Sequence, residues 1–312
     1  MQTRSVWIAC YEVSRNFSTS TATAFGRPLD YVGWLGQGFM GKKAEEDSTF
    51  MAEHQFIKTK IEDRVALVTL DRPPVNALNL QAMRELSETF EELSEDPQAK
   101  VIVFTGEGKN MTFIAGADLK EMAQIGSREE AENLAKKGQE ILNQIEQMKK
   151  PVIAAINSVC VGGGNELAMA CHLRIASDRA RFGQPEISLG IIPGFGGTQR
   201  LTRLVGASKS RELILTGDMI TAQEALRIGL VDRVVPDGEL LRQAWGLAKK
   251  IASKGSVALA YCLEAIAVGL ETSLPEGLEH EAQLFGKIAQ TEDMREGVRA
   301  FLEKRQPSFK DK

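Results

Sequence analysis

From Arg64 to Asn157 the chain alternates short apolar runs with longer stretches in which apolar side chains recur every three or four residues. RVALVTL (64–70) and KVIVFTG (100–106) read as strands, while LQAMRELSETFEEL (80–93) and REEAENLAKKGQEILNQIEQM (128–148) read as helices. PVIAAIN (151–157) is apolar almost throughout, which predicts a strand covered on both faces. Strands alternating with helices predict an α/β architecture. After Val235 the pattern is helical to the end of the chain, with breaks near Gly255, Pro275 and Thr291. The first 50 residues differ: they are rich in Ser, Thr and Gly, and no sustained periodicity begins before Phe56.

The strand PVIAAIN runs into a glycine turn, and this is where candidate chemistry concentrates. Gly162, Gly163 and Gly164 precede the helix-forming run Leu167 to Ala170, so a helix starts there with its first N–H groups unpaired. Glu166 falls in the first turn, where the helix dipole favours a carboxylate. Glu186 follows 20 residues later, after Pro185. Each part also has a plain structural reading: three glycines as a tight turn, Glu166 as a dipole complement, Glu186 as a solvated loop residue. Together, two carboxylates beside an anion-binding backbone suit general acid and base work.

That combination, with FIAGADLKEM (113–122), resembles the enoyl-CoA hydratase/isomerase (crotonase) family. The likeness runs from about Phe56 to Lys312. It takes in TLDRPPVNAL, PVIAAINSVCVGGGNELAMACHLRIAS, FGQPEISLGIIPGFGGTQRL, LTGDMITAQEALRIGLVDRVV and EDMREGVRAFLEKRQPSFKD. The resemblance implies a spiral of ββα units over 51–245 and a C-terminal helical region over 246–312 that assembles homotrimers, frequently paired into homohexamers. It also implies reversible addition of water to trans-2-enoyl-CoA, chemistry of the fatty-acid β-oxidation type, with the hydratase branch favoured because both glutamate positions are filled. An isomerase, thioester hydrolase or decarboxylase of the same fold is the alternative. So is a non-catalytic acyl-CoA-binding or RNA-binding relative.

Carried over by position, the resemblance makes the N–H groups of Ala115 and Gly163 an oxyanion hole for the thioester oxygen. Glu166 is then the base that takes a proton from water, and Glu186 the acid that protonates C2. Ala115, Gly116, Ala117, Asp118 and Gly163, with Phe285 and Lys304 toward the C-terminus, are the implied substrate and CoA contacts. Phe285 and Lys304 read equally as a core side chain and a solvated charge. The sequence departs from the family pattern at Pro74, where many relatives have lysine, at Ser158, and at Asn165, a variable position placed outside the chemistry. No cofactor is expected, since CoA is part of the substrate.

Composition narrows the field further. With 43% hydrophobic and 26% charged residues over 312 positions, the chain is long enough for one substantial core. A net charge of −4 disfavours nucleic-acid binding, and no apolar run reaches the ~18 residues of a membrane span. Four cysteines without a CxxC pair suit a reducing compartment, and three scattered histidines argue against zinc. TGEGKN (105–110) lacks the full phosphate-loop pattern and reads as a hairpin turn. Residues 1–50 read as a non-core extension, either presequence-like, with three arginines and one acid up to Arg27, or a misassigned start, with Met51 the natural beginning of the family-like body. GKKAEED (41–47) does not suit a presequence, which places a cytoplasmic enzyme ahead of one in the mitochondrial matrix.

Overall fold

The structure, a computed structural model, describes residues 54–107 and 112–312. The extension assigned to 1–50 and the second half of the turn expected at TGEGKN lie outside the described residues.

Strands β1 (Ile57–Glu62) and β2 (Val65–Leu70) form an antiparallel hairpin. Asp63 and Arg64, at φ 52° and 65°, make its two-residue turn, whose twist matches that of the flanking strands. Helix α1 (Leu80–Glu95) is capped by Asn79, whose side chain accepts from Ala82 N–H. Then come β3 (Val101–Gly106), the short α2 (Leu119–Met122) and α3 (Arg128–Glu146), capped by Ser127. Next are β4 (Val152–Ile156), β5 (Val159–Val161), α4 (Gly163–Ala170), β6 (Leu173–Ser177) and β7 (Arg181–Gly183). A 3-10 turn at Pro185–Leu189 leads to α5 (Gly197–Val205) and α6 (Ala207–Thr216). They are followed by β8 (Ile220–Thr221), α7 (Ala222–Arg227) and β9 (Arg233–Val235). Four helices end the chain: α8 (Leu240–Ala252), α9 (Ser256–Glu271), α10 (Leu274–Ile288) and α11 (Glu292–Leu302).

A six-stranded sheet runs β1-β2-β3-β4-β6-β9, parallel from β2 onward, and a three-stranded sheet runs β5-β7-β8. Successive turns of the chain repeat one course. β4 enters the large sheet, β5 the small one, and α4 closes the turn; β6, β7 and α5 do the same. Ile114, bridged in parallel to Cys160, carries the small layer back to the turn that begins with β3. This is the ββα spiral that the family resemblance implies. All five residues of β4 are buried, as a strand covered on both faces requires.

Helix α8 covers the large sheet. Leu240, Ala244, Ala248 and Ala252, one per turn, pack on Val65, Val101, Val103, Ile153, Ala155 and Ile175. Small side chains at that spacing let the helix lie close to the strands. The boundary drawn between 245 and 246 is corrected on this ground: it cuts α8, which belongs to the core, and the outlying helices begin at Ser256. No residue of α9 is buried, and Ile266, Leu270, Leu274, Leu278, Phe285, Phe301 and Leu302 are exposed on α9 to α11. Among the described residues no single helix is long and apolar enough to cross a membrane.

Candidate active site

Gly162 ends β5 at φ 55°, ψ −130°, a conformation that glycine adopts without Cβ strain, and α4 starts at the next residue. The first intrahelical bond runs from Glu166 N–H to Gly162 O. The N–H groups of Gly163, Gly164 and Asn165 therefore have no acceptor among the described residues. A Cβ on Gly164 would overlap Ile114 O, so the Phe113–Asp118 segment lies directly against this turn.

Ala115 does not offer its N–H to this turn. It donates to Val75 O at 3.2 Å, so the oxyanion role assigned to Ala115 is corrected: that donor is already engaged. The alternative lies two residues on. Leu78 N–H donates to Gly116 O, and Asp118 N–H donates to Leu78 O, both at 2.8 Å. In extended chain successive N–H groups point to opposite sides, so Ala117 N–H points away from Leu78, and it has no acceptor among the described residues. Gly116, at φ 94°, switches the chain between the two pairings and brings its Cα against Gly162. The open backbone donors beside the turn are thus those of Gly163 and Ala117.

Asp118 has a holding part. Its carboxylate pairs with Arg72 at 2.6 Å and caps α2 by accepting from Lys120 N–H, which leaves it committed to the protein rather than to a ligand. Asn76, at φ 54°, anchors the same segment through Nδ2 to Thr112 O at 2.7 Å and Glu107 O at 2.8 Å. Phe285, on α10, is 70% exposed, and Lys304 lies beyond the end of α11 at φ 56°. Among the described residues neither has a hydrogen bond or ion pair to the glycine turn.

Glu166 is buried in α4. Its Oε1 accepts from Phe195 N–H at 2.8 Å and Gly197 N–H at 2.6 Å, and its Oε2 accepts no hydrogen bond among the described residues. Two amides and the Arg200 guanidinium favour the carboxylate, but burial opposes it more strongly and the nearby Glu186 charge adds to the opposition. The carboxyl is pushed up to about 7. The 3-10 turn places Glu186 against Gly162, where a Cβ would stand 3.1 Å from Glu186 Oε1. Glu186 Oε2 is buried without a partner, and burial raises this carboxyl to about 7 as well.

Gln184 joins the two carboxyls. Fully buried, it accepts from Asn165 Nδ2 at 2.9 Å and turns Nε2 to Glu186 Oε1 at 3.5 Å. A Cβ on Gly197 would touch both Gln184 Nε2 and Glu166 Oε1, at 2.5 and 2.9 Å. Asn165 therefore reaches the chemistry through Gln184, contrary to its placement outside it. Sequence reasoning also missed Phe195 and Gly197 as donors, although PGFGGTQ before a helix was itself a signal for open amides. His172 is not a competing acid or base: Nδ1 accepts from Val152 N–H, and burial lowers the ring to about 4.

This arrangement can stabilise an oxyanion at the backbone donors and exchange protons at two neighbouring carboxyls. The family model described as enoyl-CoA hydratase/isomerase matches residues 60–312. A probable enoyl-CoA hydratase of Bacillus subtilis is 44% identical over 255 residues, 81% of this chain and 98% of that protein. The crotonyl-CoA hydratase of Syntrophomonas wolfei is 43% identical over 260 residues, 83% of this chain and 99% of its own. In three dimensions the enoyl-CoA hydratase of Bacillus anthracis superposes with a TM-score of 0.79 at 41% identity, covering 83% of this chain and all of that one. Glycine turn, spiral and near full-length similarity agree: the chain belongs to the enoyl-CoA hydratase/isomerase family.

Proposed function

We propose that the protein is an enoyl-CoA hydratase, adding water reversibly across C2=C3 of a trans-2-enoyl-CoA to give the 3-hydroxyacyl-CoA. The observation that carries this reading is the pair of buried carboxyls in opposite settings. Glu166 has one oxygen saturated by amides and one open, whereas Glu186 has a buried oxygen with no partner. The first suits a base and the second a proton-bearing acid.

In hydration, Glu166 Oε2 takes a proton from water as the water oxygen bonds to C3. The C2=C3 π electrons move toward the thioester carbonyl, whose oxygen becomes an enolate facing the Gly163 and Ala117 N–H groups. Glu186 then delivers its proton to C2, the carbonyl re-forms, and one water has been added. Dehydration runs the same steps backwards. Afterwards Glu166 carries the proton and Glu186 the charge, and a proton exchange between the two restores the starting form. Donors fixed before the charge develops are worth roughly 10²–10³ each in rate.

The same reading extends to substrate, assembly and location. The acyl-CoA thioester is the partner, and no separate cofactor takes part in the steps above. Exposed Ile266, Leu270, Phe285 and Phe301 support a homotrimer or homohexamer built through the C-terminal helices; the part of Phe285 and Lys304 in binding CoA of a neighbouring copy rests on the family resemblance alone. The buried thiols Cys160 and Cys171 form no disulfide, which fits a reducing compartment, the cytoplasm ahead of the mitochondrial matrix. Incubation with crotonyl-CoA tests the activity: loss of the conjugated enoyl-thioester absorbance supports hydration, and binding without that loss contradicts it.

A further inference from the structure

Resting on the reading of Glu166 as the base, we propose that Arg200 is a positioning residue that fixes the 193–197 loop so that its Phe195 and Gly197 amides meet Glu166 Oε1. Arg200 lies in the first turns of α5 and is 8% exposed. Its side chain turns back under the loop, where Nη1 donates to Phe195 O at 2.9 Å. The rest of the guanidinium is anchored on α3. Nε and Nη2 donate to Glu146 Oε2 at 2.9 and 2.7 Å, and Nη2 donates to Asn143 Oδ1 at 2.5 Å. One residue thus ties the carbonyl of Phe195 to α3 while the amide of Phe195 holds the glutamate.

A second contact from α3 sets the height of the same loop. Gly138 lies in mid-helix, where glycine costs about 1 kcal/mol relative to alanine. A Cβ there would fall inside the Phe195 ring, whose other edge rests 3.3 Å from the Cβ position of Gly163. The ring is wedged between α3 and the glycine turn. Gly196, at φ 104°, completes the loop, since a side chain there would strike the Arg200 guanidinium. Guanidinium and ring together leave the loop one position, with both amides directed at Glu166.

Two hydrogen bonds to one carboxylate oxygen favour the charged form. Loosening the loop therefore raises the pH at which Glu166 becomes a base. The charged groups that act on Glu166 are Glu186 from the 3-10 turn and Arg200 from α5, with Glu146 of α3 behind Arg200.

The test is the pH profile of kcat/KM for crotonyl-CoA hydration in Arg200→Lys, Gly138→Ala and the double variant Asn143→Ala/Glu146→Ala. Lysine keeps the positive charge without the bridge. The double variant changes two exposed positions on α3, where alanine favours the helix, but it strips the buried Arg200 of its counter-charge, so rates are read per folded molecule after folding is checked by circular dichroism. Removing the Glu146 charge would by itself lower the Glu166 pKa, which makes an upward shift diagnostic. Expected are a fall in kcat of roughly 10–100-fold with KM little changed, and an acidic limb displaced to higher pH. An acidic limb at the wild-type position in the folded double variant overturns the proposal, whatever happens to Arg200→Lys. Glu166→Gln, run beside them, separates the two levels. Persistent turnover there removes the base itself, whereas loss of turnover there with an unmoved limb in the double variant removes only the role of Arg200.

Discussion

The amide of Gly197 meets Glu166 Oε1 at 2.6 Å, and a methyl group on Gly197 would stand 2.9 Å from that same oxygen. The residue is glycine because donor and acceptor approach so closely that no Cβ fits, with Gln184 Nε2 and Pro193 Cβ at 2.5 and 2.8 Å on the other sides. Gly197→Ala should push Glu166 off its two donors. The expected outcome is a loss of kcat of about 10²-fold, from a displacement on the order of 1 Å, with a destabilisation of roughly 1–3 kcal/mol. Turnover and thermal unfolding of the variant check it, and wild-type turnover would show that the bond to Glu166 is dispensable.

Gly163 is the first residue of α4, a position where proline fits the helix because its N–H is unpaired in any case. Gly163→Pro should lower kcat by roughly 10²–10³ through loss of one oxyanion donor, while Gly163→Ala, which keeps the N–H, loses much less. Ala117→Pro should behave like Gly163→Pro. Ala115→Pro should act on stability instead, because its N–H is bonded to Val75 O. Equal loss of turnover per folded molecule at positions 115 and 117 would contradict this assignment of donors.

Burial lifts Glu186 from 4.5 to about 7, and this couples stability to pH. The folded protein keeps a proton through a window in which the unfolded chain releases it, so that contribution is complete below pH 4.5 and is lost as the pH rises through 7. Glu186→Gln does not titrate. Its Tm relative to the parent should rise between pH 5 and 8 by roughly 2–4 °C, and parallel Tm curves would contradict the raised pKa.

The C-terminal tail is tied to the core through Asp311. Its carboxylate pairs with the buried Lys100 and with Arg64, both at 2.7 Å, and accepts from Ser256 N–H, while Asp293 receives the Lys310 and Asp311 amides. These partners hold the Asp311 carboxyl well below the usual carboxylate range despite its burial. Asp311→Ala leaves the Lys100 ammonium short of its counter-charge and should cost roughly 3 kcal/mol in denaturant unfolding, with kcat per folded molecule unchanged. The contribution is present above the unfolded pKa near 4 and fades as the pH falls further.

The periodicity of RVALVTL, KVIVFTG and PVIAAIN located three strands of the large sheet, because burial on a sheet writes itself into local composition. The glycine turn and the two glutamates were legible for a similar reason: a helix start and its first-turn acid are neighbours in sequence. The donors that hold Glu166 were not, since Phe195 and Gly197 are 29 and 31 residues away and reach it only through the spiral. That the open donor is Ala117 and not Ala115 depends on which way an N–H points. Strand pairing with Val75 and Leu78 sets that direction, and no local pattern encodes it. The Leu240, Ala244, Ala248 and Ala252 stripe was visible as helix, but not as a helix of the core, because small side chains give little sign of what they pack against.

The central claim is that Glu166 and Glu186 act on one water from two sides. It is tested most directly by measuring crotonyl-CoA hydration rates and acyl-CoA affinity for Glu166→Gln, Glu186→Gln and the double variant. Each single variant should lose roughly 10²–10⁴ in turnover with binding largely retained, and the double variant should fall well short of the product of the two losses. Near wild-type turnover in either folded single variant would contradict the account.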